Sequence, residues 1–243
     1  KAQYHSPSRG GVKQKKKLHL KGSKSIFAFS VCFLVFFISF LFPVLQMLYW
    51  TIIFPKNLFD LNILQLSLNT IYLVFLSSVV LIIFSFIANY GNRVTRSKFL
   101  NFLTMFSITG YAIPGVILAV AFITFVAWFD NNIIKYYELS SIKKIFIGSI
   151  IGLVIVYFIR FYSLAYNGLK SGYERINRSI DESSYLLGYS KIKTFLGIHV
   201  PYLRNSIFLI GILISIEIIK ELPITLILRP FNFETFATTA YIY

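Results

Sequence analysis

The chain is short of sulfur, of acid and of clustered histidine, and each shortage closes off a class of function. One cysteine, Cys32, in 243 residues excludes an intrachain disulfide and a thiolate metal site. The three histidines, His5, His19 and His199, stand far apart and none has metal-ligand spacing. There is no HExxH, no Ser/His/Asp set at a common depth and no glycine-rich phosphate loop. The sequence therefore reads as no enzyme, with no catalytic residue, no metal site and no cofactor of its own. Charge is missing altogether from three long stretches, Ser25–Pro55, Leu61–Asn92 and Phe99–Phe129.

What fills those stretches is apolar. The chain is 56% hydrophobic and 18% aromatic, against about 45–50% apolar residues in a soluble domain. About 20 apolar residues cross a bilayer's hydrocarbon core, so each uncharged run holds one tilted span. A fourth run, Ile145–Ile159, extends past Arg160, whose long side chain is expected to snorkel to the headgroups. A fifth, Asn205–Leu228, is apolar apart from Glu217, Lys220 and Glu221. The expected fold is all-α, a polytopic transmembrane bundle with spans at about 26–50, 66–90, 101–128, 144–164 and 204–222. Residues 25–243 form the membrane domain. Trp50 and Trp128 sit at span ends, as interfacial anchors do. Asn69 is placed to hydrogen-bond between helices, and Gly110 to Gly115, with Pro114, marks a kink in the third span.

The net charge of +15 reads as topology rather than as a nucleic-acid footprint. With the first residues inside, the inner segments carry eight Lys and Arg in 1–24, three at Arg93, Arg96 and Lys98, and seven from Arg160 to Arg204; six fall outside. Lys and Arg collect in cytoplasmic loops, so the start of the chain is expected in the cytoplasm. Residues 1–24, with their lysine run, read as a basic cytoplasmic linker lying against anionic lipid. A signal peptide fits poorly, because the first apolar run is too long. With no initiator Met and an odd number of spans, the sequence reads as part of a longer protein, with a sixth span expected after Tyr243.

The segment 168–203 is the one long polar interruption, and on this topology it faces the cytoplasm. Ser179 or Asp181 is suited to cap a helix starting near Glu182, whose carboxylate would meet the positive helix end. Ser183 and Ser184 are small enough for something to pack over that turn. Gly188 suits a left-handed helix end. A second helix is expected from Ser190 to His199, with Ile192, Phe195, Leu196 and Ile198 largely on one face, ended by Pro201. An amphipathic helix lying on the membrane without a partner has the same pattern.

Glu182-Ser-Ser-x-x-x-Gly188, nine residues, then Ile198-x-Val-Pro201 resembles the EAA signature of ABC importer permeases: Glu-Ala-Ala, three residues, Gly, nine residues, Ile-x-Leu-Pro. Ser183 and Ser184 stand for the alanines and Val200 for the leucine. The segments Leu41–Trp50, Arg160–Asn167 and Lys220–Thr238 are similar to the ferric-iron branch of these permeases, in which two homologous halves usually share one polypeptide. The resemblance covers essentially the whole chain, which looks like a second half. It implies a type I, MetI-like permease in a bacterial inner membrane. Its partners would be a cytoplasmic ABC ATPase dimer that uses Mg-ATP, a periplasmic or extracellular binding protein, the other permease half and membrane lipid, with no nucleic acid. The ATPase would dock on Asp181, Glu182, Ser183, Ser184, Gly188, Ile198 and Pro201. Permeases of this kind also carry thiamine, polyamines and other small solutes.

Glu217, Lys220 and Glu221 occupy a costly place, at roughly 3 kcal/mol per charge at a helix centre. Lys220 is spaced to bridge both acids, and Pro223 to break the helix after them. These residues and Pro114 read either as a polar lining of a translocation path or as a packing pair. Arg229 and Glu234 read as a solvated loop or as a contact for the binding protein. A secondary transporter would carry ionisable residues in mid-span on several helices, and the first three spans have none.

Overall fold

A computed structural model describes residues 21–54, 62–95, 97–136 and 146–242, with the side chains of 133–136 excepted. The lysine run, His5, His19, Lys56, Arg96, the Lys135 side chain, Lys143, Lys144, Tyr243 and the expected start of the fourth span lie outside the described residues. The described residues are all-helical. The chain divides into two units, Lys1–Leu61 and Asn62–Tyr243.

The first unit holds α1 (Ser23–Ile53), apolar around its whole circumference and with no buried side chain. Its 31 residues reach about 46 Å at 1.5 Å per residue, enough to cross a bilayer. Phenylalanines stack along it, Phe29 on Phe33 at 6.0 Å and Phe36 on Phe40 at 5.5 Å. A π-turn at Phe37–Leu41 comes just before Pro43, with the Phe42 N–H donating to Phe37 O. The extra residue in that turn lets the helix run past a proline that has no N–H to give.

The second unit is built around α5 (Ile150–Tyr173), capped by Ser149, whose Oγ accepts from the Gly152 N–H at 3.1 Å. Leu153, Val156, Tyr157, Phe161, Ala165 and Leu169 recur at helical spacing and are all but fully buried. On them pack α2 (Ile63–Thr95) and α7 (Lys191–Ile219). In α2, Leu73, Ser77, Leu81 and Ser85 lie four apart on the buried side, the small residues admitting a close neighbour. Hydrogen bonds add to this packing. Asn89 Nδ2 donates to Tyr166 O (3.1 Å), and Asn92 Nδ2 donates to the Tyr166 hydroxyl (3.0 Å) and to Thr104 Oγ1 (3.1 Å). Such bonds contribute about 0.6–2 kcal/mol each in a membrane.

The expected single span at 101–128 is two helices. α3 (Lys98–Ile108), capped by Ser97, passes into a 3₁₀ turn at Thr109–Ala112, and α4 (Gly115–Tyr136) begins anew beyond Pro114. Ile113 is extended, as a residue before proline must be. Only Gly115–Asn132 of this region is long and apolar enough to cross a membrane. Gly110 is where the turn meets α5: a Cβ there would come within 2.2 Å of the Ile159 backbone oxygen. We expect Gly110→Ala to push turn and helix apart at about 1–3 kcal/mol, seen as a lower melting temperature of the detergent-solubilised protein.

After α5 come α6 (Arg178–Leu186), then α7, α8 (Pro223–Leu228) and α9 (Phe236–Ile242). The expected break at Pro201 is absent. α7 runs without interruption through a π-turn at Phe195–His199, where the Val200 N–H reaches Phe195 O, the device also seen before Pro43. Within 168–203 lie the end of α5, the whole of α6 and the first turns of α7, joined by two short links. Asn69, on α2, donates to Glu234 O at 3.0 Å, and Thr70 Oγ1 accepts from the Phe236 N–H at 3.2 Å, tying the entry of α9 to α2.

Candidate functional site

Two polar clusters interrupt the apolar bundle, separated along α5 by about 20 Å from Arg160 to Tyr173. The first surrounds α6. Its N-cap is Asn177, whose Oδ1 accepts from the Ser179 N–H at 3.3 Å; neither Ser179 nor Asp181 caps it. The helix starts four residues earlier than expected, so Glu182 lies beyond the first turn and Asp181 is the acid within it. Gly188, at φ 81°, ends the helix. The Tyr189 N–H donates to Ser184 O and the Gly188 N–H to Tyr185 O, both at 3.0 Å, the paired bonds of a Schellman turn. Ser190 then caps α7, its Oγ accepting from the Lys193 N–H at 3.3 Å.

The two serines divide the work differently from expectation. Ser184 is buried, with its Oγ 2.7 Å from Thr194 Oγ1, so the small residue there lets α6 pack on its own neighbour α7; Ser183 is exposed. The expected apolar face of the second helix is also reversed in part. Thr194 and His199 point inward, while Ile192 and Leu196 are exposed. The inward polar groups are held by Ser184 and Asp181, which outweighs the preference of Ile192 for the interior. Phe195 does turn inward, against Phe86 and Tyr90, and Ile198 is half-buried; Pro201 is exposed.

Asp181 uses both oxygens. Oδ2 accepts from Arg93 Nε at 2.6 Å and Oδ1 meets His199 Nε2 at 2.8 Å. Arg93, Arg178, Asp181, Glu182, Tyr185 and Lys191 line a shallow cleft beside it. Leu186, Leu187 and Ile192 stand out from the polar loop at 89, 78 and 72% exposure.

The second cluster joins the break at Pro114 to the end of α7. Arg160 does not snorkel outward. Its Nη1 donates to Ile113 O at 2.6 Å, the carbonyl freed next to Pro114, and its Nε lies 3.4 Å from Glu221 Oε2. Lys220 therefore does not bridge two acids; it holds Glu217 alone, Nζ to Oε1 at 2.7 Å on the exposed side. Glu221 is buried, and Thr225 Oγ1 donates to its carbonyl at 2.5 Å. Pro223 opens α8, where a missing N–H costs nothing. Arg229 and Glu234 pair with each other, and Arg229 holds the Glu234 carboxyl below the usual carboxylate range. Among the described residues no group of three or more His, Cys, Asp or Glu is placed to hold a metal ion.

Sequence reasoning missed Arg93, Tyr90 and Arg160. The available signal was a charged or hydrogen-bonding side chain at the end of, or inside, an apolar run, where it persists only with a partner.

The family model described as "Binding-protein-dependent transport system inner membrane component" matches residues 82–241, which takes in α6, α7 and both clusters. No curated protein matches the chain.

Proposed function

Because the chain belongs to the binding-protein-dependent transport system inner-membrane components, we propose that it is the permease half of an ATP-driven importer, with α6 and the start of α7 as the docking element for a cytoplasmic ATPase. The observation that carries this reading is the set Leu186, Leu187 and Ile192. Three large apolar side chains stand exposed on a loop that is otherwise polar, and exposed apolar groups of this kind mark protein contacts. The Schellman turn at Gly188 and the Ser184–Thr194 bond fix their spacing, so the patch is presented by a rigid frame. Exposed Glu182 and Ser183 border it. The bias of Lys and Arg supports a cytoplasmic position for this loop, where a dimeric ATPase would use Mg-ATP. A binding protein delivers substrate to the other face, and a second permease half completes the path.

Ferric iron is the substrate we propose, on the likeness of Leu41–Trp50, Arg160–Asn167 and Lys220–Thr238 to ferric permeases. Glu217 and Glu221 each already hold a cation of their own. Paired carboxylates compete weakly for Fe³⁺, which suits a site that passes the ion rather than traps it. The test is ATP-dependent uptake of labelled Fe³⁺ into proteoliposomes holding the full-length permease, its ATPase and its binding protein, with excess thiamine as competitor. Uptake that needs ATP and resists thiamine is expected. Absence of iron uptake, with ATP hydrolysis stimulated by a different loaded binding protein, would discard iron and keep the importer.

A further inference from the structure

A nine-residue helix is a poor lever by itself. Isolated helices shorter than about 12–15 residues are marginal in water, and α6 is joined to its neighbours by the short links Glu174–Asn177 and Leu187–Ser190. A force applied to it would be lost in those links unless something ties it to the bundle. We propose that Arg93 and Asp181 form the joint through which α6 moves α2, α5 and α7 as one body.

The geometry of the joint is specific. The Arg93 guanidinium, at the inner end of α2, donates from Nε to Asp181 Oδ2 (2.6 Å), from Nη1 to Tyr173 O (3.2 Å), and from Nη2 to Ile176 O (3.0 Å) and Asn177 O (3.1 Å). One planar fork thus closes the C-terminal end of α5, the turn after it and the first turn of α6, which a lysine could not do. Asp181 carries the connection on to α7 through His199, which is fully buried and flanked by the rings of Tyr90 (5.2 Å) and Tyr173 (5.4 Å). Tyr90 adds a second tie from α2 to α7, its hydroxyl donating to Lys191 O at 2.7 Å. The Arg93 and Asp181 side chains are only 11 and 14% exposed, so the pair is shielded from the screening that weakens surface ion pairs. Arg93 is a positioning residue: its hydrogen bonds go to Asp181 and to the backbone between α5 and α6, and it determines whether movement of the patch reaches the spans.

This inference rests on the reading of α6 as the ATPase contact, but the joint is measured without the ATPase. Nitroxides on Thr95→Cys and Ser179→Cys, both exposed positions, in a Cys32→Ser background of the full-length permease report the α2–α6 separation by electron paramagnetic resonance. A single narrow distance is expected for the parent, a broad distribution for Arg93→Gln, and an intermediate one for Arg93→Lys. In proteoliposomes with the ATPase, binding protein and labelled Fe³⁺, Arg93→Gln should raise the ATP consumed per ion imported about tenfold, a typical coupling energy between sites. A merely structural role would lower hydrolysis and import in proportion and leave that ratio unchanged. An unchanged ratio, or a parent-like distance distribution in Arg93→Gln, overturns the proposal. Docking is decided separately, by co-purification of the ATPase with a Gly188 variant, so failure of one reading does not masquerade as failure of the other.

Discussion

Gly188→Asp is expected to leave the protein folded in the membrane and to abolish its capture of the ATPase. The reason is conformational rather than steric. A Cβ at Gly188 meets nothing within 4 Å, yet the backbone there sits at φ 81°. A residue with a Cβ gives up about 1–2 kcal/mol to stay in that region, and the aspartate adds a negative charge at the negative end of the α6 dipole, worth about 0.3–1 kcal/mol more. Relaxing that strain means opening the Schellman turn, which sets where Leu187 points relative to Ile192. The new carboxylate also puts a charge next to Leu187 in the sequence, on the segment that would meet the ATPase. Nothing in the buried bundle depends on Gly188, so abundance in the membrane should hold while co-purification is lost. Gly188→Ala, with the strain but not the charge, should fall between. Normal co-purification and transport by Gly188→Asp would remove α6 from the docking role.

The parts of this molecule that were legible from sequence are those set by local pattern. The left-handed helix end at Gly188 and a second helix starting at about Ser190 follow from backbone chemistry that any chain obeys, and both are found. Long apolar runs located the membrane helices. What failed was whatever depends on partners far off in sequence. Arg93 and Asp181 are 88 residues apart, and no periodicity in either segment reveals that they meet. Because they meet, Asp181 is drawn away from capping, and Asn177 takes that place. The same bond to His199 helps turn α7 so that Ile192 faces outward. Pro201 misled for a different reason. A proline breaks a regular helix, but one extra residue in the preceding turn removes the conflict, and hydropathy does not register such a turn. In the third span Gly110, Pro114 and Gly115 marked the interruption, but not its extent: α3, the turn and α4 are all apolar, so hydropathy does not show that the kink is a full break at Ile113 and Pro114.

Removing Glu221 is expected to cost far more than removing Glu217, four residues earlier. The Glu217 and Lys220 side chains are 22 and 62% exposed, so Lys220 is free to turn away once its partner is lost and Glu217→Gln should barely move the melting temperature in detergent. Glu221 and Arg160 are 9 and 20% exposed, and Arg160 also satisfies the Ile113 carbonyl beside Pro114. Taking away one partner of a buried pair leaves an uncompensated charge, at about 3–5 kcal/mol. Glu221→Leu should therefore melt well below the parent. Arg160→Met should be at least as damaging, because it strands both the Glu221 carboxylate and a backbone oxygen. The double variant separates these terms. Two apolar groups in place of a buried ion pair are often neutral for folding, so Arg160→Met/Glu221→Leu should regain most of the loss. It should not regain all of it, because the Ile113 oxygen still lacks a donor, at about 1–3 kcal/mol. Thermal melts of the four proteins test this; a double variant no more stable than either single would mean the two side chains do not act as a pair. Transport by the recovered double variant then assigns the role. Parent-like uptake would make the pair a packing device for the broken third span. Loss of uptake in a protein that folds would place the charges on the translocation path, where α4, α5 and the end of α7 converge.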